Sequence, residues 1–300
     1  MAPSSSLGVS VLQMTSLADP QKNLETIVNA FEQAEGQCLF LPENSLFFNT
    51  ETTPILPSQA FRGDSPEILR LKKMCFAKKK ALHLGGIPWL KDGDVYNQAV
   101  IIDEKGKLHE HYAKTHLFDL SLGALKIKES DSFKAGSHLK TWQLGGWTLA
   151  TLICYDLRFP ELFTQLRAEK KVDIFVVPAA FTALTGAAHW LPLLRARAIE
   201  NQCFVIAPAQ LGGHWSENRQ NQKKTWGQSL VISPWGRVLA EGLTYEKMGD
   251  SSPEDFAPIT CTLDYDALLT VRKAMPMEDH RRFATSLELK CRSENGSLPS

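Results

Sequence analysis

Three hundred residues, 43% hydrophobic and 22% charged, suffice for one large or two ordinary globular domains with a buried core. Lysine plus arginine balances aspartate plus glutamate at 33 each, so no overall field favours nucleic acid or a membrane surface. The 6 cysteines include no CxxC pair, the start Met-Ala-Pro-Ser-Ser-Ser-Leu lacks the basic and apolar regions of a secretory leader, and no apolar run reaches spanning length; the expectation is a cytoplasmic, soluble protein.

Leu7 to Met14, rich in small and β-branched residues, predicts a buried strand. Asp19-Pro20 opens a helix with Leu24, Ile27, Val28, Phe31 and Ala34 at helical spacing, and Gly36 stops it. Cys38 to Leu41 is a second strand, running into Pro42-Glu43-Asn44. Asp64-Ser65-Pro66 caps a second helix, with Ile68, Leu71, Cys75 and Phe76 expected on one face; the basic run Lys78-Lys79-Lys80 reads as its solvated end. Leu82 to Pro88 returns as a strand, and Val95 to Ile102 with Gly106 to His111 reads as a hairpin. Strand 147–153, helix 160–169, strand 173–177, helix 188–201 and strand 203–207 follow, then a hairpin of 228–233 and 237–241 turning at Pro234-Trp235-Gly236. The polar stretch Ser216 to Lys224 reads as a mobile surface loop. Alternating strands and helices with hairpins predict layered α/β architecture and a mixed sheet, with no linker dividing it.

Three strand ends carry reactive side chains: Glu43 in Leu-Phe-Leu-Pro-Glu-Asn, Lys114 in His-Tyr-Ala-Lys-Thr-His-Leu-Phe, and Cys154 in Leu-Ile-Cys-Tyr-Asp-Leu-Arg-Phe-Pro-Glu. Singly, each has a plain reading: a capping carboxylate, a solvated lysine, a buried cysteine. In an α/β fold, pockets form at strand ends, so the three can converge although distant in sequence. Together they suit attack on an amide. Glu43 takes the thiol proton, protonates the leaving amine and activates water, while Lys114 and the backbone N–H of Tyr155 hold the oxyanion. Burial would raise the carboxylate's pKa unless the lysine charge outweighs it. His109, His111 and His116 suggest a metal only weakly, since the first two alternate on a strand expected to be exposed and no carboxylate pattern completes a site.

The segments Leu41-Pro42-Glu43, 112–118 and 154–161 resemble the three signature regions of the nitrilase superfamily of carbon–nitrogen hydrolases, and the resemblance spans about residues 7 to 275. Lys128-Glu129-Ser130, 178–182, 185–190, 194–201 and Gly227-Gln228-Ser229 resemble its Nit branch, which includes deaminated glutathione amidases and ω-amidases. The resemblance implies an α-β-β-α sandwich over 1–283 with a mixed two-sheet core, followed by a tail, 284–300. It implies a homodimer, a small-molecule amide substrate, no metal and no organic cofactor. Glu129 corresponds to a second glutamate that orients the lysine. Arg158 and Thr185 are candidates for holding a substrate carboxylate, although Arg158 equally fits tying down the 156–161 turn.

The chain departs from many Nit relatives at Gln228, where they have histidine, and at Leu191, where they have glutamate. Either change alters the pocket rim or only the dimer surface. The expected activity is cysteine-dependent hydrolysis, through a thioester, of a small linear α-keto-acid amide such as deaminated glutathione. The alternatives are 2-oxoglutaramate, a nitrile or an N-carbamoyl compound, and a catalytically idle scaffold on the same fold.

Overall fold

Two six-stranded sheets organise the chain. A computed structural model describes residues 3–283 apart from 52, 123–124, 217–221 and 251–256. Edge to edge, the first sheet runs Ile259–Asp264, Ser6–Val11, Cys38–Phe40, Ala81–Lys91, Asp94–Ile102 and Leu108–Ala113. The second runs Val238–Glu241, Leu230–Ile232, Phe204–Ala207, Ile174–Val176, Trp147–Thr151 and Thr141–Leu144. In each, three central strands are parallel and the outer ones antiparallel, the mixed pattern expected of βαβ units flanked by hairpins.

Parallel neighbours need crossovers, and four helices supply or flank them: α1 (Pro20–Gln33), α2 (Pro66–Lys78), α3 (Pro160–Lys170) and α4 (Ala183–Asn201). Local chemistry sets their ends. Asp19 caps α1 by accepting from the N–H groups of Gln21 and Lys22, with Pro20 in the first turn, and the Thr182 hydroxyl caps α4. Lys78 pairs with Glu32, and the Lys80 ammonium caps the carbonyls of Phe31 and Ala34 at the end of α1. The basic run is therefore tied to the helix pair.

The layers follow from which side of each strand is apolar. Val9, Val11 and Phe40 from the first sheet meet Trp147, Ile174 and Phe204 from the second in an inter-sheet core. Leu24, Ile27, Phe31, Ile68 and Leu71 pack α1 and α2 on the outside of the first sheet. Phe163, Leu166, Trp190 and Leu194 pack α3 and α4 on the outside of the second. The result is the α-β-β-α sandwich.

Several local expectations are corrected. Phe76 does not share the buried face of α2: it is 68% exposed, because a residue adjacent to buried Cys75 is turned about 100° around the helix. Part of the expected surface loop is a strand. Gln222–Trp226 pairs with Leu211–Trp215, placing Thr225 and Trp226 in the interior, while 217–221 lie outside the described residues. His111 is buried, not exposed. The tail 284–300 also lies outside the described residues.

Three buried histidines couple this fold to pH. His83 Nε2 bridges the sheets to Thr151 Oγ1 at 2.9 Å, and His214 stacks on Phe48 while bonding Ser16 O and Thr225 Oγ1. Burial pushes the imidazoles of His83 and His111 down to about 3 and that of His214 to about 4. The unfolded chain takes up these protons near pH 6.5, whereas the folded chain resists until far lower. Stability is therefore complete at neutral pH and is lost as pH falls from about 6.5 towards 4. A group shifted this far contributes a loss of roughly 2 kcal/mol by pH 5. The urea midpoint is expected to drop steadily from pH 7 to 4.5 and to drop less steeply in His111→Phe. A flat midpoint, or an unchanged slope in that variant, would refute the account.

Candidate active site

The carboxyl ends of the central strands of both sheets come together at one end of the sandwich. Cys38–Phe40 runs on into Leu41, Pro42 and Glu43, where the Asn44 N–H bonds Gly86 O at 2.6 Å and φ of 62° turns the chain. Trp147–Thr151 runs on to Cys154, which takes φ 50° and opens a 3-10 turn, Cys154–Arg158. A positive φ at a non-glycine residue is uncommon and costly, and a sharp strand-to-helix elbow is the geometry that presents a nucleophile. The elbow is held by the Cys154 N–H, which donates to Pro178 O at 2.9 Å. Gly85 lets the two sheets close here: a Cβ would lie 2.2 Å from Leu41 O and 2.3 Å from the Pro178 ring.

Lys114 follows the edge strand Leu108–Ala113 and is pinned by its backbone, the N–H to Asn97 O at 2.9 Å and the carbonyl from Gly136 N at 2.8 Å. Its side chain is 2% exposed. The ammonium donates to Glu43 Oε1 at 2.9 Å and to the two oxygens of Glu129 at 3.0 and 2.9 Å. Glu43, 3% exposed, also receives Asn97 Nδ2 on Oε1 and the Ala180 N–H on Oε2, both at 2.9 Å. Glu129 receives the Phe118 N–H at 2.6 Å and Asn97 Nδ2 at 2.9 Å. Burial opposes the charge on Lys114, but Glu129 and Glu43 outweigh it and hold the amine well above its ordinary value.

Cys154, 7% exposed, lies beside this cluster and within its field. Burial pushes its thiol well above the usual range and the Glu43 carboxylate adds to that, while Lys114 and the Ala180 N–H pull the other way. Glu43 is the carboxylate beside this thiol. No backbone acceptor among the described residues takes the Tyr155 N–H.

Glu43, Lys114, Glu129, Cys154 and Tyr155 thus converge. Arg158 and Thr185 sit differently. The half-buried Arg158 guanidinium lies 5.9 Å from the Tyr155 ring and 5.2 Å from that of Phe181, with Nη1 3.2 Å from His189 Nδ1. Among the described residues its partners are thus two aromatic rings and His189 of α4, with no carbonyl of the 156–161 turn among them. The Thr185 hydroxyl pairs with Thr182 Oγ1 at 2.9 Å in the first turn of α4. Gln228 is buried and braces the interior, accepting from Trp226 Nε1 and donating to Glu241 Oε1, and Leu191 packs against the second sheet's outer core.

Sequence reasoning missed three contributors. Asp156, wholly buried, accepts from Tyr112 Oη, from the Ile153 N–H and from the backbone and ring nitrogens of His116, stapling the lysine loop to the cysteine turn. Its place inside the cysteine motif was the available signal. Asn97, beside Gln98 on a strand that is apolar from Ala99 onward, was a second. The Ala180 N–H carried no sequence signal. The three histidines find separate surroundings, His109 with Asp103, His111 near Trp142 and His116 with Asp156.

Residues 8–250 match the carbon–nitrogen hydrolase family. The chain is 32% identical over 286 residues to deaminated glutathione amidase of Yersinia enterocolitica, covering 93% of this chain and 94% of that one. It is 35% identical over 282 residues to the nitrilase and fragile histidine triad fusion protein NitFhit of Drosophila melanogaster, covering 91% of this chain but spanning only 57% of that relative. The crystal structure of the C. elegans NitFhit protein superposes with a TM-score of 0.81 at 33% identity, over 94% of this chain and 66% of that one.

Proposed function

The chain belongs to the carbon–nitrogen hydrolase family and is an amidase of the nitrilase superfamily, and on that premise we propose that Glu43, Lys114 and Cys154 hydrolyse a small linear amide carrying an α-keto acid, with deaminated glutathione the preferred substrate. The observation that carries the catalytic assignment is the Lys114 ammonium, held within 3.0 Å of both Glu43 and Glu129 beside a buried thiol. The substrate class is supported by the names of relatives that match over nearly their whole length, such as the Yersinia enzyme.

The reaction then runs in two halves. Glu43 removes the Cys154 proton as sulfur attacks the amide carbonyl carbon, and the oxygen becomes an oxyanion. The Tyr155 N–H and one N–H of Lys114 hold that charge; sharing a single N–H between the two Glu129 oxygens frees the third hydrogen of the ammonium. Each such donor lowers the barrier by on the order of 3 kcal/mol. The intermediate collapses, the C–N bond breaks, and Glu43 returns its proton to the leaving amine, leaving a thioester. Water gives a proton to Glu43 and adds to the thioester, and the carboxylic acid departs as the thiol is reprotonated. Arg158, a planar cation at the rim, would pair with the keto-acid carboxylate, with Thr185 beside it.

A homodimer fits the exposed apolar residues Ile199 near the end of α4, Trp235 in the turn beside it, and Val238 and Leu239 on the edge strand that follows. Free thiols at Cys38, Cys75, Cys154, Cys203 and Cys261 fit a reducing cytoplasm. Light scattering is expected to give twice the chain mass; a monomer at micromolar concentration would contradict the dimer.

Incubation with deaminated glutathione and with 2-oxoglutaramate, reading Cys-Gly and ammonia separately, is expected to show faster Cys-Gly release. Cys154→Ala should lower it by at least roughly 10³-fold, and mass spectrometry should detect a substrate-dependent acyl adduct only on the wild type. Turnover of neither compound, with activity on another amide, would overturn the substrate assignment. Full activity in Cys154→Ala would overturn the nucleophile.

A further inference from the structure

The mechanism leaves one buried polar group without a task. Asn97, on the strand Asp94–Ile102, is 1% exposed, yet its carboxamide nitrogen donates to Glu43 Oε1 and to Glu129 Oε1, each at 2.9 Å. Its backbone carbonyl accepts the Lys114 N–H at 2.9 Å. One residue thus touches all three charged members of the cluster.

Chemistry settles which end of the amide faces them. Turned over, Asn97 would set its carbonyl oxygen against two carboxylate oxygens. In the observed orientation Oδ1 is buried with no hydrogen-bond partner among the described residues, lying where a Cβ on Gly86 would come within 2.6 Å of it. A buried acceptor without a donor is destabilising and rare. It is kept where the other end of the group outweighs the loss, and here that end spans the two glutamates.

We infer that Asn97 is a positioning residue that, together with Lys114, occupies Glu43 Oε1 and so confines proton transfer to Glu43 Oε2. The inference rests on the amidase reading of the trio. A carboxylate oxygen offers about two acceptor positions. On Oε1 both are taken, by Lys114 Nζ and Asn97 Nδ2, each at 2.9 Å. On Oε2 the Ala180 N–H, at 2.9 Å, takes one and leaves the other for the sulfur's proton. The titratable groups around this carboxylate are Lys114 and Cys154, with Glu129 across the ammonium. The Asn97 amide is the neutral donor shared by both glutamates, so it fixes the plane of Glu43 without adding charge. The proton leaving sulfur and the proton delivered to the amine then travel through one atom facing the substrate.

The test is the pH dependence of kcat and kcat/KM in wild type, Asn97→Ala and the isosteric Asn97→Asp, on whichever amide the wild type hydrolyses. Both variants are expected to lose at least about 10-fold in kcat with little change in KM, since the base is misaimed rather than the substrate released. The acid limb of kcat/KM should move up in the alanine variant, because a carboxylate stripped of a donor holds its charge less readily. It should move further in the aspartate variant, where three acids share the site. An acid limb that stays put in both, or a loss confined to KM, would overturn the inference. So would failure of both variants to fold, which would make Asn97 a structural residue. A wrong substrate assignment changes which amide is used and leaves the limb comparison intact, and an unmoved limb leaves the amidase reading intact.

Discussion

An ammonium almost wholly removed from water between two carboxylates, beside a thiol, is the interaction on which the rest of this structure depends. Desolvating a charge is costly, and the attraction of its partners offsets that only when geometry is tight and remaining donors and acceptors are satisfied. Main-chain N–H groups from Phe118 and Ala180 and the Asn97 carboxamide nitrogen fill acceptor positions on the two carboxylates, while Asn97 Oδ1 goes without a partner among the described residues. These come from both sheets and from the loops after several strands, so neither sheet alone could assemble the site. The inter-sheet core around Val9, Phe40, Trp147 and Ile174 is in that sense part of the chemistry: it sets the spacing at which Glu43 and Cys154 face one another.

That dependence explains two features that would otherwise look like defects. Cys154 occupies a left-handed backbone conformation, which is unfavourable without glycine but turns its side chain sharply at the strand end. Asp156 is an acid with no solvent contact, and it spends its acceptor capacity on the lysine loop and the cysteine turn together. Both concentrate local cost where the fold must be least free to move.

How much of this could be read from the chain depended on whether the signal was local. That Glu43, Lys114 and Cys154 could meet was legible because each stands at or near a strand end, where α/β chains form pockets. The βαβ units around α1 and α2, and the sheets' shared mixed character, followed from periodicity and capping residues. Glu129 was visible only through resemblance: the strands before it, Asp119–Leu122 and Leu125–Lys128, alternate polar and apolar residues but are only 4 residues each, too short a run to stand out as strands. The strand Ile259–Asp264 escaped because an edge strand exposes polar residues. Asn97 and His111 escaped for the opposite reason. A polar residue on a strand acquires its meaning from what lies across the sheet, and the second sheet begins far along the sequence.

The most direct measurement is a crystal structure of Cys154→Ala with an amide substrate bound. The account requires the carbonyl carbon to sit against the residue 154 side chain, with its oxygen within hydrogen-bonding distance of Lys114 Nζ and the Tyr155 N–H and its nitrogen facing Glu43. A bound amide whose carbonyl lies away from all three would contradict it.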